Sequence, residues 1–249
     1  MKKDKVGYIL LFFTIVMLGL FGYVIYTRIG PNSSKYIKET ELEEIDLEDK
    51  LVIRGLSVID FNYRHDLTSV EDKLFNSDKV QVNDLNSEEK MLLTINDVGY
   101  NHTLPATCSS DQYILSAKGL ENTIIRDKGF LKDYKAKRKY DVGPYTIIYN
   151  GTLAITNNYC STPSEYPKIV PISAKKSNKR LIIQLKYIYI EEVSNEENTT
   201  FVSYKDNKKE NLVEENYTET FPNDEYYTYE VTYNIIDENL YFNNIIKVK

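Results

Sequence analysis

Residues 227–248, YTYEVTYNIIDENLYFNNIIKV, decide the class of fold. Tyr227, Tyr229, Val231, Tyr233 and Ile235 alternate with Thr228, Glu230, Thr232 and Asn234. Successive side chains of a strand point to opposite faces, so this period of two predicts a strand with one buried face and one meeting water. Asp237-Glu238-Asn239 turns the chain, and 240–248 returns as a second strand with Leu240, Phe242, Ile246 and Val248 expected inward. Further strands are predicted upstream. Residues 181–193 place Leu181, Ile183, Leu185, Tyr187 and Tyr189 on one face, and 169–174 contain Pro171, which confines that segment to a sheet edge. Residues 145–149 and 152–156 flank Asn150-Gly151, a strong hairpin signal because a type I′ turn needs positive φ at both central positions.

The first half of the chain follows a different period. Residues 46–60 repeat Leu47, Leu51, Val52, Val58 and Ile59 near a helical spacing, and 66–75 do so with Leu67, Val70, Leu74 and Phe75. Asn86-Ser-Glu-Glu89 has the form of a capping box; Met91, Leu92, Ile95 and Val98 make one helical face behind it, with Gly99 as a stop. Ser116 caps a further predicted helix over 117–127 that buries Leu120 and Ile124. Helices first and a curved antiparallel meander afterwards define an α+β fold with short helices packed on one sheet face.

Ahead of all this stands an apolar run over 7–26, GYILLFFTIVMLGLFGYVIY. Some 20 residues at 1.5 Å rise match a hydrocarbon core of roughly 30 Å. Lys2, Lys3 and Lys5 precede the run and Arg28 alone follows closely, an asymmetry that keeps the amino terminus in the cytoplasm and exports the rest. A cleaved signal peptide is the rival reading. The run exceeds the roughly 7–15 residues of a signal h-region, and TRIGPNSS after it lacks a small-residue cleavage site. The expected organisation is a cytoplasmic tail (1–6), a transmembrane anchor (7–28), a stalk (29–45) and an extracytoplasmic α+β domain (46–249). Within that domain, 46–99 is helical and 112–249 holds one more helix and the sheet.

The chain carries a formal charge of −6, and the anchor segment is positive, so the exported part is the more acidic. A net acidic domain is a poor generic nucleic-acid binder, and no nucleic-acid partner is expected. No cofactor or nucleotide motif stands out. Cys108 and Cys160 lie in loop-like sequence. Exported, they are candidates for one disulfide closing about 50 residues, worth roughly 3–4 kcal/mol in the chain-entropy model; the alternative is two free thiols. The two histidines, His65 and His102, have neither the spacing of zinc ligands with these cysteines nor the companions that a thiol nucleophile at Cys108 would need. The acid pairs Glu191-Glu192, Glu196-Glu197 and Glu214-Glu215 read as solvated, because adjacent side chains diverge.

The order of an apolar anchor, an amphipathic helix, NDLNSEEKMLLTINDV (83–98), SAKGLENTI (116–124), PYTIIYNGTLAITNNYC (144–160), RLIIQLKYIYIEEV (180–193) and YEVTYNIIDENLYFNNIIKVK (229–249) resembles a group of uncharacterised single-pass membrane-anchored proteins of low-GC Gram-positive bacteria. The long terminal strands are also similar to the sheet of NTF2/cystatin-like domains found in bitopic assembly proteins of secretion machines. The resemblance implies a module at the outer face of the cell membrane, anchored in lipid through 7–26.

One segment departs from the acidic background. Arg126, Lys128, Lys132, Lys135, Lys137, Arg138 and Lys139 are interleaved with Phe130, Tyr134 and Tyr140, and a second cluster comprises Lys175, Lys176, Lys179 and Arg180. In the envelope that the resemblance implies, such a patch would meet teichoic acids and lipid head groups, which it attracts despite the net negative charge. The plainer reading is a solvated loop or an edge strand whose lysines deter pairing. The expected function is binding or assembly within the cell envelope, through an anionic wall polymer or another envelope protein. Two rivals remain: a subunit of an export or conjugation complex, and an enzyme with a Tyr-lined pocket between helices and sheet.

Overall fold

The computed structural model describes residues 14, 16–18, 38–61, 69–102, 104, 111–158, 165–194, 199–205, 208–212 and 227–248. It divides the chain into Met1–Glu41 and Leu42–Lys249. In the first unit residues 14 and 16–18 are helical, and Val16, Met17 and Leu18 expose their apolar side chains. Among the described residues no helix is long and apolar enough to cross a membrane.

The second unit is α+β, with a few short helices and two antiparallel sheets. Its first element is the strand β1 (Glu43–Ile45), in the unit that starts at Leu42. Helix α1 (Lys50–Ile59) starts where the Asp49 carboxylate accepts from Leu51 N, and α2 (Ser69–Asn76) follows. A short strand β2 (Lys79–Gln81) and a 3-10 turn (Val82–Asp84) lead to α3 (Ser87–Asn101). The capping box of α3 forms as expected: Glu89 N donates to Asn86 Oδ1 at 2.9 Å and Asn86 N to Glu89 Oε2 at 2.7 Å. Gly99 does not stop this helix. It keeps helical φ against Leu104, and the helix runs two residues further.

After β3 (Tyr113–Leu115), helix α4 (Ala117–Glu121) is shorter than expected. Thr123 Oγ1 donates back to Leu120 O, and Ile124 N is taken by a carboxylate of α3, so 122–127 leaves the helix while still burying Ile124 and Ile125. A 3-10 helix (Lys128–Asp133) then precedes β4 (Lys139–Val142), β5 (Tyr145–Tyr149) and β6 (Leu153–Asn157). With β3 these make a separate four-stranded sheet ordered β3-β6-β5-β4, where one continuous meander was expected. The 150–151 hairpin exists, but with Tyr149 opposite Leu153 its loop has three residues and only Gly151 takes positive φ (75°).

The larger sheet uses β7 (Glu165–Lys176), β8 (Arg180–Ser194), β9 (Thr199–Lys205), β10 (Lys208–Leu212), β11 (Thr228–Ile236) and β12 (Asn239–Lys247). Its main order is β1-β7-β8-β11-β12-β2. Strand β8 is longer than its neighbour: 180–186 pair with β11, whereas 189–194 pair with β9, which carries β10. Pro171 sits at a register irregularity of β7, outside the three residues that pair with β1, where a missing N–H is tolerated.

The inner face of this sheet supplies Leu181, Ile183, Leu185, Tyr229, Val231, Tyr233, Leu240 and Phe242, all buried. Beyond Phe242 the expected alternation fails. A bulge next to Thr232 leaves Asn243 unpaired, so Ile245 turns inward in place of Ile246, and Val248 is exposed. The β11–β12 connection is the tight one: Ile236 pairs with Asn239, and Asp237 and Glu238 have φ of 49° and 66°. Three sheet tyrosines tie the helices down. Tyr233 donates to Gly55 O (2.6 Å), Tyr229 to Phe75 O (2.5 Å) and Tyr187 to Glu71 Oε1 (2.7 Å). Gly55 is required for the closest approach, since a Cβ there would lie 2.9 Å from Ile183 Cδ1 and 3.0 Å from the Tyr233 ring.

Candidate functional site

Helix α3 organises the polar groups of the domain. Every residue from Met91 to Val98 is buried, because the helix packs on α1 and also against the 3-10 helix and β4. Its sequence pattern marks one apolar face, so Asp97 would be placed toward solvent. Instead the Asp97 carboxylate is enclosed, accepting from Arg54 Nε at 2.7 Å, Arg54 Nη2 at 2.9 Å and Ile124 N at 2.8 Å. Arg54 also donates to Asn122 O at 3.0 Å. Burial opposes the guanidinium charge, but the hydrogen bond and attraction of Asp97 outweigh it and hold the Arg54 pKa above its ordinary value. This pair joins α1, α3 and the segment after α4.

A cleft of about 350 Å³ opens over the pair, bordered by Asn101, His102, Asn122 and Asn239. His102 caps α3 and its ring stacks on Tyr113 at 5.2 Å. Asn101 donates to Asp97 O at 2.8 Å. Asn101 Nδ2 also reaches Asp97 Oδ1 at 3.4 Å, so the carboxylate holds four donors and acts as a structural joint beneath the cleft. Among the described residues no group of three or more His, Cys, Asp or Glu side chains gathers to hold a metal. Cys108, Cys160, His65 and the expected disulfide lie outside the described residues.

The basic segment 126–140 divides by face. Its apolar residues point inward: Phe130, Leu131 and Tyr134 are buried, and Tyr134 donates to Ser87 O at 3.1 Å while Tyr140 OH accepts from Lys135 N at 2.7 Å. The Tyr134 and Tyr140 rings meet edge to face at 5.0 Å. Burial, with Glu88 and Asp133 nearby, raises the Tyr134 pKa. Lys128 belongs to this inner set rather than to the patch. Its ammonium donates to Thr123 Oγ1 and Ile125 O, and burial lowers its pKa to about 8 against the opposing pull of Asp97 and Asp127.

Arg126, Lys132, Lys135, Lys137, Arg138 and Lys139 are exposed, and Lys137 takes a left-handed φ of 62° at the turn. The ion pairs among the described residues are Arg54–Asp97 and Lys73–Glu89, so none of these six cations is neutralised by one. The second cluster differs. Lys175 and Lys176 stand opposite Glu44 and Glu43 in the β1–β7 ladder, where opposite charges match across strands. Sequence proximity grouped both sets; strand pairing separates them. No family model matches this chain, and neither a curated protein nor a solved structure matches it.

Proposed function

We propose that the chain is a single-pass envelope protein, anchored through 7–28 with residues 1–6 in the cytoplasm, whose extracytoplasmic domain docks on an anionic wall polymer through Lys132, Lys135, Lys137, Arg138 and Lys139. The observation that carries this reading is the split of the basic segment. Its aromatic residues fix the backbone, and its six exposed cations, these five and Arg126, stand without ion pairs among the described residues. A cationic loop held this way loses little conformational freedom on contact. The exposed apolar run Val16–Leu18 supports the anchor.

The full chain in non-ionic detergent, passed over immobilised teichoic acid, should be retained at low salt and released as salt rises toward 1 M, where the screening length is about 3 Å. Lys135, Lys137 and Lys139 changed together to Glu should remove retention without unfolding the domain, because exposed substitutions of this kind stay within about 0.5 kcal/mol each. Equal retention of both proteins at low salt refutes the reading. A second reading, a subunit of an export or conjugation assembly, draws on the far half of β8 with β9 and β10, which extends past β11 and ends in a strand pairing β9 alone among the described residues. Edge strands of this kind accept partner strands.

A further inference from the structure

A cavity of about 370 Å³ lies beside the bulge of β12, next to the start of the basic segment. The edge of β12 changes partner here. Strand β2 ends at Gln81 opposite Asn244, and Phe242 N donates instead to Ile124 O at 2.9 Å, so the bulged Asn243 falls between the two neighbours. Bulges re-aim side chains, and this one contributes Asn243 to the cavity wall. Arg126 and Lys90 also line it, as do Asn234 and Tyr241. Asp127 is the one acid in the lining, and its Oδ1 is occupied by Gly129 N at 2.8 Å. Two cations against one carboxylate leave a single positive charge, which matches a monoanionic diester better than a dianionic monoester. Amides offer both donors and acceptors, the complement of hydroxyl groups, and a phenol adds one more of each.

We propose that this cavity binds one polyol phosphodiester unit, with Arg126 and Lys90 on the phosphate and Asn234, Asn243 and Tyr241 on the flanking hydroxyls. The proposal rests on the reading of the loop as a polymer-docking surface and names the group recognised beside it. The unit can come from a wall polymer or from a glycerol-bearing lipid head group; both present the same chemistry.

The test titrates bis-glycerol phosphodiester and inorganic phosphate into the full chain in non-ionic detergent. The diester should bind more tightly than phosphate, and Arg126→Gln and Lys90→Gln should each weaken it about tenfold, the loss expected for one charge-assisted bond. Asn243→Ala should weaken it while the far-UV spectrum stays unchanged. The Glu triple variant at 135, 137 and 139 should bind the small diester as the wild type does, even where it has lost the polymer. Retention on teichoic acid or on phosphatidylglycerol vesicles that Arg126→Gln abolishes supports the site and identifies its source. The proposal is overturned if the diester does not bind, if it binds no better than phosphate, or if the three cavity variants bind it unchanged. The loop reading fails separately, through unchanged polymer retention by the triple variant.

Discussion

Asp97→Asn is the sharpest perturbation of this fold. The carboxylate accepts from Arg54 Nε and Nη2, from Ile124 N and from Asn101 Nδ2, and its side chain is 1% exposed against 13% for Arg54. An asparagine keeps one acceptor oxygen and turns an NH2 toward donors, leaving the guanidinium enclosed without its counter-charge. Breaking a buried pair by removing one partner costs about 3–5 kcal/mol. Against a typical stability of about 5–15 kcal/mol that is a large fraction, and it corresponds to a fall in Tm of roughly 6–20 °C for a domain of this size. Urea unfolding of the full chain in non-ionic detergent, followed by far-UV circular dichroism, measures the difference. Arg54→Met combined with Asp97→Asn should recover part of the loss, because the stranded charge is gone, with a coupling of about 1–3 kcal/mol. A loss under about 1 kcal/mol for the single variant, or a double variant no better than the sum of the singles, refutes the account of Asp97 as the joint between α1, α3 and the post-α4 segment.

Three further outcomes rest on side chains of the same domain. Lys128 has its folded pKa lowered to about 8, below the unfolded value of 10.5, so the unfolded chain binds more protons between these values and stability should rise with pH in that window. Above about pH 10 the raised pKa values of Tyr134 and Tyr233 reverse the trend, since the unfolded tyrosines ionise first; Lys128→Met should flatten the rise in a pH series of urea midpoints and leave the reversal. Gly55→Ala should destabilise by about 1–3 kcal/mol in thermal melts despite a better helix propensity, because its methyl meets Ile183 and the Tyr233 ring. Glu238→Gly should stabilise by about 1 kcal/mol in urea unfolding, relieving a left-handed residue in the β11–β12 turn.

Periodicity alone separated the helical first part from the stranded second part, because apolar spacing reflects which face of each element is buried. It also located the Asn86 capping box and the long strands 180–194 and 228–236, whose signals are local. The exposed basic segment 126–139 was legible as a run of cations with aromatics between them. Tertiary contacts then decided that Lys128 belongs to the interior, and that Lys175 and Lys176 face Glu44 and Glu43. Asp97 gave no signal in the sequence, since a helix enclosed on several sides buries polar positions that a one-sided pattern assigns to water. The division into two sheets and the bulge at Asn243 were equally hidden. Which strands pair, and where one residue is left over, depends on partners far away in the chain, and local spacing carries no record of them.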